Sequence, residues 1–591
     1  MRPRDVMILA IFAALLAAGS ASADRSIRPG NLVLEAPTIH CLGVRWYVNG
    51  DENGNAKVLA SCRRKGEREW HQALPLFRVG TGPDSQEGEA RLMNSSKYDR
   101  RDWPFEIGNL FAGSIFDLRP DTAYEIKLVL SDPDGGAATR VLKAHTKPEP
   151  IVPRPKRTLH VVPGVGGGKG SQSDPVRGLA AADALAQPGD LLLVHAGVYD
   201  GPVTFEEGGL PGRPIVWRGA GDGEAVIDGH GEERAASAGD LQNVFFQDLS
   251  FRNARYGMVA HGGKRIVVQR CHFYGNGYGL TAARGTERDF CIADNVIEGL
   301  STWPTKGPKG DEEDRRGVQI GGEGHDVCYN RVSGFGKVYG DGIDIMGDGP
   351  NRAIDIYNND ISECTDDAIE LDTGWSNVRA FRNHITNCFE GISTQPVYGG
   401  PAYVIRNAMY NLDYTPFKMH NNPHGMLYFH NTVVKRGIPW VLWTSAEVKR
   451  AVSRNNLFIG TEAPYAIEFS PNMVMCDFDY DGFGGGPFRA FGKWLGHPYA
   501  TIDDFQQNSG IESHAVLVDS AAVFASGLKA PEKYEVQFPI QVNDLRLAAG
   551  SGAIDSGVYL PNINDGYQGK APDLGAYEYG ESYPQYGPRR P

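Results

Sequence analysis

Positive charge is scarce in this sequence: 59 Lys and Arg face 72 Asp and Glu, for a formal net charge of −13. The first 23 residues hold two Arg and one Asp, so the remainder stands at −14. A chain of that sign repels phosphate backbones, which excludes a general nucleic-acid binder. Cysteine is also sparse, eight in 591 residues, and none stands in a Cys-x-x-Cys or His-rich spacing, which excludes a zinc module. After residue 23 no apolar run approaches the roughly 20 residues of a membrane span. What the chain does hold is 74 Gly and 37 Pro, turn formers that break it into many short elements and rule out long helical bundles. With 41% hydrophobic and 22% charged residues it is globular in composition, and its length predicts at least two domains.

Arg2 and Arg4 precede an apolar run from Val6 to Gly19, and Ala21-Ser22-Ala23 follows. This reads as a signal peptide over 1–23, cut after Ala23, and predicts a secreted or periplasmic protein. In that oxidising setting Cys41 and Cys62 are the expected disulfide pair.

Residues 36–146 alternate in short runs such as Val44–Val48, Lys57–Ala60 and Ala123–Leu130, which predicts a small β-sandwich. Leu118-Arg119-Pro120-Asp121-Thr122-Ala123-Tyr124 resembles the tyrosine corner of fibronectin type III domains, and Trp46 falls where their buried tryptophan lies. The resemblance implies a positioning or binding module. Residues 147–156 are Pro-rich and read as a stiff linker, so the sandwich is expected to fold alone and to be dispensable for turnover.

Beyond it the chain repeats. Asn295, Asn330, Asn359, Asn383, Asn407, Asn431 and Asn456 each open an Asn-x-apolar frame, with the later gaps at 24 or 25 residues. A second series runs through Gly317–Ile320, Gly342–Ile345, Ala368–Leu371, Gly391–Thr394 and Pro416–Met419. Units this short, without helical period, predict stacked parallel coils with an Asn ladder at one corner. The fold class is therefore all-β: a right-handed parallel β-helix over 157–580, preceded by the sandwich and followed by a tail at 581–591. Asp174–Gln187 is expected to form a helix capping the first coil.

Pro188–Val194, Gly197–Tyr199, Pro214–Gly219 and Val226–Gly229 resemble the opening coils of secreted β-helix proteins of the pectate lyase-like superfamily. Ala553–Gly557 and Pro572–Glu578 are similar to their closing segments. The resemblance implies the fold and leaves the reaction open, since lyases, hydrolases, epimerases and phage tailspikes share it.

Alternation puts Ile343 and Ile345 inside the coil and Asp344 outside, which makes Gln319, Asp344, Glu370, Ser393 and Lys418 one outer ladder. Three positions earlier Arg316, Asp341, Asp367 and Glu390 form another, flanked by Asp366 and Asp372. Stacked like charges repel, so a cation, a proton or a basic partner must sit among them. Glycoside hydrolysis is the first reading: Glu370 and Asp372 would lie about 6.7 Å apart, and Asp344 and Glu370 about 5 Å across a rung, distances that bracket inverting and retaining geometry. Gly340–Asp344 followed by Asp366-Asp367-Ala368-Ile369 resembles the Asn-Thr-Asp and Asp-Asp segments of polygalacturonase-type hydrolases, although Glu390-Gly391-Ile392-Ser393 replaces their Gly-His-Gly. That resemblance implies Asp341, Asp366 and Asp367 as the acid group.

The expected catalytic set is thus Asp341, Asp344, Asp366, Asp367, Glu370 and Lys418, with Arg316, Gln319, Asp372, Trp375, Glu390, Gln395 and His420 against the substrate. Trp303, Trp375, Tyr398, Tyr414, Trp440 and Trp443 either stack on sugars or pack loops. The insertion Thr302–Arg316 is expected to wall a groove. No cofactor is fixed, and calcium is the ion left open. Asp477-x-Asp479-x-Asp481-Gly482 copies the start of a calcium loop, but Phe488 stands where Glu is required. The second reading is a calcium-assisted polysaccharide lyase with Lys418 or Arg316 as base; the third is a non-catalytic polysaccharide-binding or surface protein. The expected partner is a polysaccharide.

Overall fold

The computed structural model describes residues 25–79, 108–304, 315–336, 340–347, 349–444, 447–539 and 543–590. The predicted signal peptide and most of the Thr302–Arg316 insertion lie outside these residues.

Seven antiparallel strands form the N-terminal unit: Arg28–Leu34, Leu42–Asn49, Lys57–Arg64, His71–Val79, Leu110–Ile115, Ala123–Ser131 and Ala137–His145. In space they run first, second, fifth, fourth, third, sixth, seventh. Trp46 is fully buried in the core they enclose, with Val44, Val58, Ile126 and Leu128. Tyr124 Oη accepts the Arg119 backbone N–H at 2.9 Å, tying the corner to the strand that follows it.

The rest of the chain winds into a parallel β-helix with sheets of 16, 13 and 9 strands and, in its later coils, a four-stranded sheet that begins at Trp440–Leu442. Successive coils lay short strands in register on these sheets, and their inward residues form one continuous apolar core from Leu159 to Ala515. The Asn ladder stands at one corner as expected. Its amides bond in sequence from Asn295 through Asn330, Asn359, Asn383, Asn407 and Asn431 to Asn456, each Nδ2 donating to the next Oδ1 at 2.8–3.0 Å. Every ladder asparagine is fully buried. The residue before each rung takes a left-handed φ, 52° at Arg382 and 54° at Arg406 for example, which turns the chain tightly and leaves backbone groups that only a side-chain amide can satisfy. Asp481 Oδ1 accepts from Asn456 and ends the ladder. The calcium-loop likeness is therefore a strand and turn, with a fully buried Asp481 spent on structure.

The capping helix is shorter than expected, Leu179–Asp183, because Gly178 and the turn after Asp183 bound it; Leu179, Ala182 and Ala186 still close the first layer of the core.

Two expectations fail here. All eight cysteines are free: Cys62 lies in the sandwich core, whereas Cys41 faces the helix beside Cys291, Cys328 and Tyr357. Nor are the two cores kept apart. Glu35, buried in the N-terminal unit, accepts from Ser376 Oγ at 2.6 Å and Asn377 Nδ2 at 2.9 Å and pairs with Arg45 at 2.8 Å. The Ser114 backbone N–H donates to Tyr403 Oη, and Arg379 donates to Ser114 Oγ. Lys147, at the start of the Pro-rich segment, pairs with Asp326 at 2.7 Å. The tail also packs back, with Arg589 on Asp294 and over the Tyr329 ring.

Candidate functional site

The nine-stranded sheet carries the acid cluster on its outward side. Each strand there repeats one pattern: an outward residue, a small residue at a bend, an inward apolar residue, and a second outward residue. Asp341, Gly342, Ile343 and Asp344 are followed by Asp367, Ala368, Ile369 and Glu370, then Glu390, Gly391, Ile392 and Ser393. At Gly342 a Cβ would come within 2.5 Å of the Ala368 carbonyl oxygen, so the coils approach too closely for a side chain. The expected ladders are observed: Gln319 registers with Asp344, Asp344 with Glu370, Glu370 with Ser393, and Ser393 with Lys418. In the other row Arg316 registers with Asp341 and Asp367 with Glu390. That row continues toward the N-terminus through Tyr278 and Tyr256, whose rings lie 4.6 Å apart, a continuation the sequence reading missed.

The acids face outward yet are buried, Asp344 and Asp367 fully and Asp341 to within 1%. Only Asp366 and Gln319 are half-buried. Two basic side chains lie across the carboxylates. Arg316 Nε reaches Asp344 at 2.6 Å and Asp341 at 3.3 Å. Lys418 Nζ reaches Asp367 at 2.7 Å, Glu390 at 3.1 Å and Asp366 at 3.4 Å. Gln319 donates to Asp344 at 3.0 Å, and the Asp367 backbone N–H to Asp341 at 3.0 Å. Asp372 accepts from Ser393 Oγ and from the Gln395 backbone N–H, which brings Gln395 to the edge of the cluster.

Two cations do not balance this many acids. Burial first, then neighbouring carboxylates, raises the Asp341 carboxyl to about 8 and those of Asp372 and Glu390 to about 7. Asp367 and Glu370 move well above the usual range for the same reasons. Burial alone would lower the Lys418 ammonium, but Asp367, Glu390 and Asp366 outweigh it and hold it well above the lysine range. Asp344 Oδ1, Asp367 Oδ1 and Glu370 Oε2 are buried without hydrogen-bond partners. Carboxylate oxygens of Asp341, Asp366 and Asp367 lie within 4.8 Å of one another, a set of hard ligands that a divalent cation would satisfy.

Other expected site residues are placed elsewhere. Trp375 follows the bend after Leu371 into the largest sheet and sits against the N-terminal unit, its ring 4.7 Å from the Arg45 guanidinium and 4.6 Å from that of Arg352. It packs there with Tyr398, Val79 and Leu110 and cannot meet a substrate on the acid face. Trp440 is in the helix core, and Trp303 donates its indole N–H to the Tyr534 carbonyl. His420 is half-buried; burial and Lys418 lower it to about 4, so its ring is neutral. Tyr414 and Trp443 remain beside the cluster.

No family model matches the chain. It aligns with Pectate lyase L of Dickeya chrysanthemi, 23% identical over 463 residues, covering 72% of this chain and 91% of that protein. Pectate lyase L of Dickeya dadantii (strain 3937) is 24% identical over 461 residues with the same coverage. Among solved structures, a Yersinia enterocolitica family 28 exopolygalacturonase covers 76% of this chain and 96% of its own at 11% identity and a TM-score of 0.26. The catalytic domain of a GH87 alpha-1,3-glucanase in complex with nigerose covers 84% of this chain and 96% of its own at 10% identity and a TM-score of 0.27.

Proposed function

We propose that this pectate lyase-like parallel β-helix degrades an acidic polysaccharide by β-elimination, with Asp341, Asp366 and Asp367 holding a divalent cation of the calcium class and Lys418 acting as the base. The observation that carries this reading is the convergence of those three carboxylates beside a buried lysine. Similarity to the two pectate lyases supports it and points to a uronate polymer as the substrate. The donor set fits the ion: all ligands are carboxylate oxygen, and Asp367 Oδ1 is buried and unpartnered. When bound, such an ion would draw charge from a uronate carboxylate and acidify the adjacent ring C–H. It would also allow a net acidic protein to hold an acidic polymer.

Lys418 then removes that proton; the C–H electron pair becomes the ring double bond, the bond to the glycosidic oxygen breaks, and the leaving oxygen collects a proton from water. To act as base Lys418 must first give up its own proton, which its partnership with Asp367 now retains, so charge neutralisation at Asp366 and Asp367 is a precondition of its role. Arg316 fixes Asp341 and Asp344 in place, and Asp372 braces the neighbouring turn through Gln395.

A hydrolase is the second reading, favoured by one observation. Glu370, kept protonated by burial and by Asp341 and Asp344, lies in register with Asp344, whose carboxylate is paired with Arg316. That is the division of labour between acid and partner carboxylate that glycoside hydrolysis needs. The products decide between the two. Incubation with polygalacturonate, with calcium and with a chelator, should release unsaturated ends only when calcium is present; saturated reducing ends would reject the lyase in favour of the hydrolase. A polymer substrate also agrees with export directed by residues 1–23, and the N-terminal unit is read as a fibronectin type III-like brace.

A further inference from the structure

Trp443 is 53% exposed, the only exposed tryptophan among the described residues. It follows the strand Trp440–Leu442, in which Trp440 and Leu442 point into the helix core and Val441 points out. Alternation therefore turns Trp443 outward. It lies 25 residues past Lys418, and Thr415 Oγ1, from the Lys418 coil, donates to the Val441 carbonyl at 2.7 Å, so the two coils adjoin. Trp443 thus stands on the coil after that of Lys418, just past a strand of a separate four-stranded sheet, the nine-stranded sheet having ended at Phe417–Lys418.

The ring does not hang free of support. Its centroid lies 6.0 Å from that of Tyr414, which lies 6.0 Å from Phe389, the residue before Glu390. Tyr414 rests in turn on Ile438, Val441 and Ala463. Three aromatic rings on successive coils border the C-terminal side of the acid cluster, and the outermost leaves its face in water.

We propose that Trp443, backed by Tyr414, is a stacking shelf for one pyranose ring of the polysaccharide whose neighbouring residue is processed at Lys418. The proposal rests on the reading of the acid cluster as a polysaccharide-degrading site and adds a binding position to it. Three features select a sugar as the occupant. The C–H face of a pyranose matches an indole in area and polarity. The shelf lies on the coil that adjoins the coil of Lys418, so a polymer seated at Lys418 can reach it with a neighbouring residue. Leaving so large an apolar side chain in solvent forgoes burial that the other core tryptophans of the helix obtain.

Trp443→Ala and Trp443→Phe test this, because an exposed position tolerates both without loss of the fold. In native gels cast with polygalacturonate, or with a neutral glucan if that is what the wild type binds, wild-type protein should be retarded, Trp443→Ala should migrate as in a blank gel, and Trp443→Phe should fall between. On oligogalacturonates of increasing length, Trp443→Ala should lose about tenfold in kcat/KM once the chain reaches the shelf, the worth of one stacked ring, with a smaller penalty on shorter chains. Retardation of Trp443→Ala equal to wild type, a penalty independent of length, or a wild type that no such polymer retards would each overturn the shelf. Saturated instead of unsaturated product ends would reject the lyase while leaving the retardation and length tests in force.

Discussion

Lys418 Nζ stands 2.7 Å from Asp367 Oδ2, with two coil steps between their strands. A lysine in this position is the internal counter-ion of the cluster as well as its candidate base, and the two roles oppose one another. Lys418→Ala should lower turnover on polygalacturonate by about 10²-fold to 10⁴-fold, the range for loss of a general base, while Asp367→Asn should raise the calcium concentration needed for half-maximal rate. Steady-state rates across a calcium titration measure both. A Lys418→Ala enzyme as active as wild type would reject the assignment.

The acid cluster also sets a pH dependence of stability. Asp341 is raised to about 8 and Asp372 and Glu390 to about 7 in the folded protein, against about 4 for unfolded carboxyls. A carboxyl raised on folding binds its proton more tightly in the native state, so its stabilising contribution is complete below about pH 4 and is lost as pH rises through 7 to 8. In chelator the thermal midpoint should therefore fall between pH 5 and pH 8, and calcium should reverse most of the fall. Asp341→Asn should flatten the chelator curve and abolish part of the calcium response. A midpoint in chelator that is constant over this interval would contradict the buried geometry of the site.

How much of this was legible beforehand depended on whether neighbours in space were also periodic in sequence. The Asn ladder and the acid rows recur at a nearly constant spacing, so counting was enough to stack Asp344 on Glu370 and Ser393 on Lys418. Burial of the cluster was not legible, because it depends on Arg316 and Lys418 reaching across rungs, a side-chain path that no spacing encodes. Trp375 was misplaced for a related reason: it is three residues from Asp372, but the bend at Leu371–Gly374 carries it to another sheet. The contact of Glu35 with Asn377 joins residues 342 apart without any repeat to announce it.

The ladder itself should resist substitution at its middle. Asn407 Oδ1 accepts from the Asn383 backbone N–H and side-chain amide, while its own amide donates to the Ala380 carbonyl and to Asn431. Asn407→Ala breaks all four bonds. Asn431 Oδ1 keeps the Asn407 backbone N–H and Asn383 Nδ2 keeps the Ile356 carbonyl, but the buried Asn383 backbone N–H loses its acceptor, and at about 1–3 kcal/mol for an unsatisfied buried group the change should cost about 2 kcal/mol. Urea unfolding measures this. Asn411→Ala, four residues on in the same coil and bonded to the C-terminal segment, should cost less.

Removal of the N-terminal unit tests how far the helix depends on its partner. A protein beginning at Lys156 would expose Phe381, Tyr403, Ile405, Leu427 and Phe429, which now form one apolar cluster with Ile39, Cys41 and Phe116. It would also strip Ser114 from Arg379 and Glu35 from Ser376 and Asn377, leaving buried polar groups to be rehydrated on a surface too apolar to stay single. The shortened protein should aggregate or unfold at markedly lower temperature, as size-exclusion chromatography and thermal melts would register. Arg45→Ala is the finer probe. It removes one partner of the buried Glu35 carboxylate and one face of the Trp375 contact, a loss of about 3–5 kcal/mol when a buried charge is left short of partners. Because Trp375 follows Asp372 by three residues, the variant should lose turnover along with stability. A soluble, monomeric helix with wild-type rate after the deletion would show that the interface is accessory to the site and not part of its support.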